Sequence, residues 1–340
     1  MEGRLEKKGI LPQKDFEIIE IPVLKNRINA AAWPTEDGVM LVAREVKKAA
    51  KEGEPDTGRL VQLKSDTPLV EILLKDSGPM VEQVVWDSEG QEILLEDPRG
   101  LLLSDKSGVV LGLTAVVMED GEKIVYPTVI YLQSSDVFEQ ITVTQEQIIR
   151  DFGPGKNITP VSDGTFLFRQ EGDKNNHRLL HFSKDEHTKE VKELGNLEFP
   201  SDLEWASWRI GTTMPPIPIN ENEYLMIFHG IKWENGKYIY SLGRAKLVKD
   251  QGGNLTVAEI DREPILTPDD FVINNRPIAK ELHPELRRVV YVCGGMMEDE
   301  NRMLSLFVNV GDTKTVLVNL TFDALVAIDK PLRHQEKHAA

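Results

Sequence analysis

Glu96-Asp97-Pro98-Arg99 places a carboxylic acid, a proline and a guanidinium between two apolar runs, Ile93-Leu94-Leu95 and Leu101-Leu102-Leu103. A charged cluster between strand-like segments is costly unless the charges pair or a ligand binds there. Pro98 removes a backbone donor and fixes the local turn, so the preceding strand delivers Asp97 to a rim. Alone, the tetrapeptide reads equally as an internally paired surface turn.

Four polar clusters follow it. Gly153-Pro154-Gly155-Lys156-Asn157 is a tight turn that presents a lysine; it lacks the glycine spacing and the Lys-Ser/Thr pair of a nucleotide P-loop. A lysine in such a turn is ordinarily a solvated charge. Arg169 ends the strand-like Phe166-Leu167-Phe168, where an arginine is usually an ion-pair partner. The third cluster runs from Trp205 through Trp208, Arg209, Thr212 and Pro215 to Ile217. Aromatic faces beside hydrogen-bonding groups suit a sugar ring, whose C–H face is apolar and whose hydroxyls are polar; a tryptophan core plug beside a proline turn accounts for the pattern equally well. His229-Gly230 closes the strand-like Tyr224–Phe228, a place where histidine is more often structural than a ligand. His177 and His181 share a face but have no third ligand at sensible spacing, so no metal site is expected.

These side chains must be positioned by strands. Apolar segments of strand length recur along the chain, among them Val39–Ala43, Val109–Leu113, Tyr224–Phe228 and Val289–Val292. Turn signals such as Glu36-Asp37-Gly38, Ser162-Asp163-Gly164 and Glu234-Asn235-Gly236 fall between them. Helical periodicity is scarce, the best candidates being Ala43–Glu52 and Thr144–Arg150. Many short strands over more than 300 residues predict an all-β sandwich, barrel or propeller. No internal sequence repeat gives a blade count, and no Pro/Gly/Ser-rich linker divides the chain. The organisation expected is a tail over 1–15, one domain over 16–328 and a tail over 329–340.

The net charge of -16 opposes sequence-independent nucleic-acid binding and docking on anionic membrane, while leaving room for a local basic cavity that takes a small anion. The single cysteine, Cys293, precludes an intrachain disulfide framework. No apolar run approaches the length of about 18 residues that a membrane helix needs. The charged residues after Met1 have no apolar region following them. A cytoplasmic location is expected.

Read together and in order, the clusters resemble glycoside hydrolase family 130, mainly phosphorylases of β-mannosides. The resemblance rests on Glu96-Asp97-Pro98-Arg99, Lys156-Asn157, Arg169, Trp205 through Ile217, Phe228-His229-Gly230 and Tyr240-Ser241-Leu242-Gly243. It continues in Pro264-Ile265-Leu266-Thr267-Pro268, Val290 to Gly295 and Gly311-Asp312-Thr313, and so runs from about Asn29 to Leu325. Three departures stand out. No arginine occurs between Arg99 and Arg150, Gln170 replaces the proline that often follows the strand-end arginine, and Asn29-Ala30 stands for the usual Asn-Pro.

The resemblance implies a five-bladed β-propeller with its site at the mouth of the central channel. It implies Asp97 as general acid and a phosphate pocket of Lys156, Arg169, His229 and Arg99. Sugar contacts would come from Asn29, Arg44, Asn157, Trp208, Arg209, Thr212, Pro215 and Asp312. The expected reaction is inverting phosphorolysis of a β-mannosyl-glucose or β-manno-oligosaccharide to α-mannose 1-phosphate, with inorganic phosphate as co-substrate and no cofactor. A β-mannosidase and a silent glycan-binding propeller are the alternatives, and a homo-oligomer is compatible with all three.

Overall fold

The short apolar runs pair with their sequence neighbours as antiparallel hairpins, and the hairpins group into five blade sheets and one two-stranded ribbon. The computed structural model describes residues 16–20, 27–35, 38–47, 57–65, 81–87, 93–133, 140–162, 164–172, 177–185, 188–273, 276–277, 288–298, 302–311 and 314–328. Strand β1 (Phe16–Glu20) belongs to the last sheet. Blade one is β2 (Arg27–Pro34), β3 (Val39–Lys47), β4 (Thr57–Ser65) and β5 (Val81–Asp87). Blade two is β6 (Ile93–Leu102), β7 (Val109–Glu119) and β8 (Glu122–Leu132), with an isolated bridge from Thr128 to Ile148 at its outer edge. Blade three is β9 (Gly155–Ser162), β10 (Thr165–Gln170), β11 (Arg178–Lys184) and β12 (Val191–Glu198). Blade four is β13 (Arg209–Thr212), β14 (Ile217–Pro218), β15 (Glu223–Glu234), β16 (Lys237–Lys249) and β17 (Leu255–Ile260). A two-stranded ribbon, β18 (Val272–Ile273) and β19 (Arg276–Pro277), leads to blade five: β20 (Val290–Glu298), β21 (Met303–Val310) and β22 (Lys314–Thr321). β1 completes that blade by pairing with β22, Phe16 opposite Leu320 and Glu20 opposite Val316. The fold is a five-bladed β-propeller.

A blade exposes two apolar faces, because alternate side chains point to opposite sides of a sheet. Five buried clusters fill the seams between neighbouring blades. Trp33, Met40 and Leu111 lie between blades one and two. Phe166, Phe168 and Val110 fill the next seam, and Leu167, Ile210 and Met226 the one after it. Leu225, Val292 and Val308 join blades four and five, and Phe307, Leu317 and Leu41 return to blade one. The core is thus a ring of seams around an axis. Strand β2 packs against both β6 and β20, and β9 against β6 and β13, so the first strands of the blades line that axis.

Two sequence expectations change. Residues Ala43–Lys47 of the expected first helix lie in β3, paired in register with β4 from Thr57 to Val61. Cross-strand pairing outweighs helix propensity there. Of the second, only Gln145–Gln147 is helical, as one 3-10 turn. The expected tails at 1–15 and 329–340 lie outside the described residues.

Candidate active site

The first strands of blades one to three share one backbone device. In β2 the register against β3 slips between Ile28 and Ala31; in β6 it slips against β7 between Glu96 and Arg99; β9 slips against β10 where Leu167 and Arg169 face Thr159 and Lys156. Each slip sets two residues against one, and the first of each pair has positive φ: Asn29 at 54°, Asp97 at 53° and Asn157 at 61°. Asn and Asp tolerate this left-handed conformation better than other residues with a Cβ. A bulge re-aims the side chain that carries it, and here three bulges aim Asn29, Asp97 and Asn157 into one cavity. The Asp97-Pro98 pair is therefore a bulge inside a continuous strand β6, rather than a turn between two strands. Likewise Lys156-Asn157 lies within β9, and His229 in the middle of β15.

The cavity has a volume of about 1040 Å³. Its acid is anchored: Asn29 Nδ2 donates to Asp97 Oδ1 at 2.5 Å, and Asn309 Nδ2 donates to Asn29 Oδ1 at 2.8 Å. The other Asp97 oxygen accepts no hydrogen bond among the described residues. Arg44 donates to Glu96 at 2.8 Å on the same wall.

Arg99 does not line the cavity. It is fully buried beneath it, donating to the Asp97 carbonyl at 2.7 Å, to Asn157 Oδ1 at 3.2 Å and to the Tyr291 hydroxyl. Tyr291 passes the chain on to Asn157 Oδ1 at 2.8 Å. Burial opposes the Arg99 charge, yet its pKa is raised, with the Asp97 carboxylate among the neighbours that favour the charged form. Burial also pushes the Tyr291 phenol well up, so it stays a neutral donor. The expected phosphate ligand Arg99 is thus placed where it braces two of the bulges from below.

The other cations lining the cavity are Lys123, Lys156, Arg169, Arg209 and Lys237. Arg169 and Arg209 each donate to one oxygen of Glu171, both at 2.8 Å, and Lys156 stands close enough to lower the Glu171 pKa with them. Burial pushes that carboxyl up; Arg169, Arg209 and Lys156 override it and hold Glu171 below the usual carboxylate range. His229 is fully buried, with Nε2 3.4 Å from Asn157 Nδ2 and its ring between Tyr240 and Tyr291, at centroid separations of 5.8 and 4.8 Å. Burial, then the charges of Arg169 and Arg99, hold its pKa well below 6.5, against a smaller opposing hydrogen bond with the Thr212 backbone. His229 is a neutral hydrogen-bonding group, so it adds no charge to the expected cationic pocket.

Thr212 and Pro215 lie outside the cavity wall. Thr212 is buried, accepts from Thr159 at 2.6 Å and donates to the Asn157 carbonyl, holding the third bulge in place. Asp312 lies outside the described residues. Trp208 lines the cavity together with two partners that the sequence pattern does not single out. Trp233 and Tyr238 face each other across the β15–β16 hairpin, 4.5 Å apart, and each packs near Trp208. They are 47% and 43% exposed, which leaves apolar ring faces open at the rim. The Asn235-Gly236 turn, with φ of 52° and 76°, was the available signal, since Asn-Gly at this position fixes a two-residue hairpin and so the pairing of its flanks. Glu171, Tyr240 and Tyr291 were also missed as site residues.

The arrangement can do three things. One anchored carboxyl with a free oxygen can exchange a proton. The cluster of Lys156, Arg169 and Arg209 around the single carboxylate of Glu171 can hold a small anion. An aromatic rim can stack on sugar rings.

Comparison with known proteins follows the same lines. The family model for glycoside hydrolase family 130, described as beta-1,4-mannooligosaccharide phosphorylase, matches residues 80–330. Comparison with curated protein sequences gives no match. Among solved structures, the β-1,2-mannobiose phosphorylase from Listeria innocua, in complex with β-1,2-mannobiose, superposes with a TM-score of 0.56 at 15% identity, covering 92% of this chain and 92% of that one. A glycosyl hydrolase from Bacteroides ovatus gives 0.57 at 14% identity over 91% of this chain and 86% of that one. A structure described under family 130 hydrolases that target β-1,2 mannosidic linkages in Candida mannan gives 0.58 at 12% identity, over 92% and 96%. These likenesses show the fold, and the family match spans well over half of the sequence. The chain belongs to glycoside hydrolase family 130, whose members are glycoside phosphorylases or hydrolases.

Proposed function

We propose that the protein is an inverting phosphorylase of β-mannosides, β-mannosyl-glucose or β-manno-oligosaccharides, which reversibly releases α-mannose 1-phosphate. The observation that carries this reading is that Asp97 and the cations Lys156, Arg169 and Arg209 line one cavity. Inorganic phosphate is itself an anionic nucleophile, so a single carboxyl suffices if preorganised donors hold the phosphate in line. Asp97 is the general acid, delivering its proton to the leaving oxygen by way of a sugar hydroxyl. Asn29 fixes its rotamer through the 2.5 Å bond, and Asn157 and Arg44 meet sugar hydroxyls. The Trp208, Trp233 and Tyr238 rings receive the leaving sugar. No cofactor takes part. A cytoplasmic location suits the reaction, because phosphate is plentiful there and the sugar phosphate is retained.

Hydrolysis is favoured by one observation, a second carboxylate, Glu171, lining the same cavity as Asp97. An inverting hydrolase needs such a second carboxylate as base, about 6.5–9.5 Å from the acid. Glu171 suits that role poorly: both oxygens are engaged by guanidiniums and its basicity is lowered by them.

The test is turnover of a panel of β-1,2- and β-1,4-linked mannosides with and without inorganic phosphate, following mannose 1-phosphate and mannose separately. Phosphate-dependent mannose 1-phosphate, lost in Asp97→Asn with the fold intact, is the expected result. Free mannose without phosphate would establish a hydrolase, and no turnover on any substrate a glycan-binding propeller.

A further inference from the structure

Glu171 is out of place in a pocket meant only to attract an anion. It follows directly on β10, lines the cavity, and spends a negative charge between the two arginines most suited to a phosphate. Its geometry is fixed from both sides, each oxygen held at 2.8 Å by a different guanidinium. An ionised carboxylate is an acceptor only, with about four lone-pair sites. Two are used by Arg169 and Arg209, so acceptor capacity is left on the same oxygens that the guanidiniums orient.

We infer that Glu171 makes this pocket selective for an oxyanion that still carries a proton, admitting phosphate and excluding sulfate. The inference rests on the phosphorylase reading. An oxyanion within reach of Arg169 and Arg209 also meets the Glu171 carboxylate. Inorganic phosphate and arsenate keep at least one hydroxyl near neutral pH and can donate it to that carboxylate. Sulfate is fully deprotonated and offers acceptors alone, so it sets oxygen against oxygen and leaves the Glu171 lone pairs unpaired. A site built to hydrogen-bond a ligand hydroxyl rejects the analogue that lacks it strongly, because its own polar group is then left without a partner. The flanking guanidiniums keep Glu171 ionised through the neutral range, so the acceptor persists where phosphate carries its proton.

The experiment titrates the full chain with inorganic phosphate, arsenate and sulfate at constant ionic strength and neutral pH, by calorimetry and by the fluorescence of the cavity tryptophans. The expected result is that phosphate and arsenate bind on the order of tenfold to a hundredfold more tightly than sulfate. In Glu171→Gln the amide NH2 can face the oxyanion as a donor, so sulfate binding should rise and the ratio collapse toward one. Glu171→Asp keeps an acceptor and should keep the preference with weaker binding, which covers the case of a poorly folded amide variant. Equal binding of sulfate and phosphate by the unsubstituted protein, or an unchanged ratio in Glu171→Gln, overturns the inference while leaving phosphorolysis standing. No phosphate binding at all overturns the phosphorylase reading itself.

Discussion

Gly211 offers a way to displace His229 and Asn157 in the cavity without replacing either side chain. A Cβ at this position would lie 2.3 Å from Cε1 and 2.5 Å from Nε2 of His229, and 2.7 Å from Nδ2 of Asn157. Ordinary contact begins at 3.4 Å, so Gly211→Ala demands a retreat of roughly 1 Å. The imidazole has nowhere to go, since Tyr240 and Tyr291 pack against it and Gly211 is its direct partner in the β13–β15 pairing. Overpacking of this kind costs about 1–3 kcal/mol of stability. A misplacement of about 1 Å at a reacting geometry can cost on the order of 100-fold in rate. The assay is phosphate-dependent release of mannose 1-phosphate, resolved into kcat and the KM for phosphate, with thermal unfolding alongside. Gly243→Ala is the control, because its Cβ would meet Trp205 at 2.4 Å and Phe228 at 2.8 Å, in the seam between blades three and four. Both variants should melt lower; only Gly211→Ala should raise the KM for phosphate and cut kcat. A folded Gly211→Ala enzyme with kinetic constants within about twofold of the parent would refute a role for His229 and Asn157 in the reaction cavity.

Two further predictions concern regions away from the anion. Burial pushes the His181 imidazole down from 6.5 to about 4, so the unfolded chain takes up a proton before the folded one does. Its contribution is complete above its ordinary pKa and is lost as the pH falls from there toward about 4; allowing for solvent in the adjacent cavity, about 1–2 kcal/mol should disappear between pH 7 and pH 5. Urea unfolding of His181→Leu should show a shallower pH slope than the parent, and parallel slopes would dismiss the effect. At the rim, Trp233→Ala or Tyr238→Ala should raise the KM for a manno-oligosaccharide several-fold to about tenfold and leave phosphate affinity alone. A shift in phosphate affinity instead would place the rings in the anion site.

Strand content, and hence the all-β class, was legible in the apolar runs and turn signals. The blade count came only with the resemblance to glycoside hydrolase family 130, because the five blades share no sequence repeat. What blades one to three share is backbone: Asn29-Ala30, Asp97-Pro98 and Asn157-Ile158 occupy equivalent bulges; β20 of blade five slips between Val292 and Gly294, whereas β13 of blade four pairs with β15 in unbroken register. Three dissimilar dipeptides give no periodic signal, although an Asn or Asp opens each. Asp97, Lys156, Arg169, Trp208 and Arg209, which line one cavity, stand out in the sequence because charged or aromatic residues interrupt strand patterns. Arg99 was legible as a basic residue beside Asp97, yet its burial depends on Tyr291, 192 residues away, and no local pattern encodes that meeting. Glu171 was overlooked for a similar reason. A glutamate after a strand end looks solvated until Arg209 from the next blade reaches its second oxygen.

The pairing of β1 with β22 ties the assembly of the molecule to a clock. β1 leaves the ribosome early and must remain unpaired until a partner on the order of 300 residues later has been made. During that interval blades one to four can settle in order, each against its predecessor, while the fifth cannot be finished. Once synthesised, β22 stands briefly as a bare edge, its outer row of backbone donors and acceptors open to any passing strand. Closure by β1 covers the β22 edge with a strand of five residues, so correct folding is a race between a distant strand of the same chain and an edge strand of a neighbouring one. Expression yield should therefore depend on the concentration of nascent chains more steeply than the stability of the finished ring would suggest.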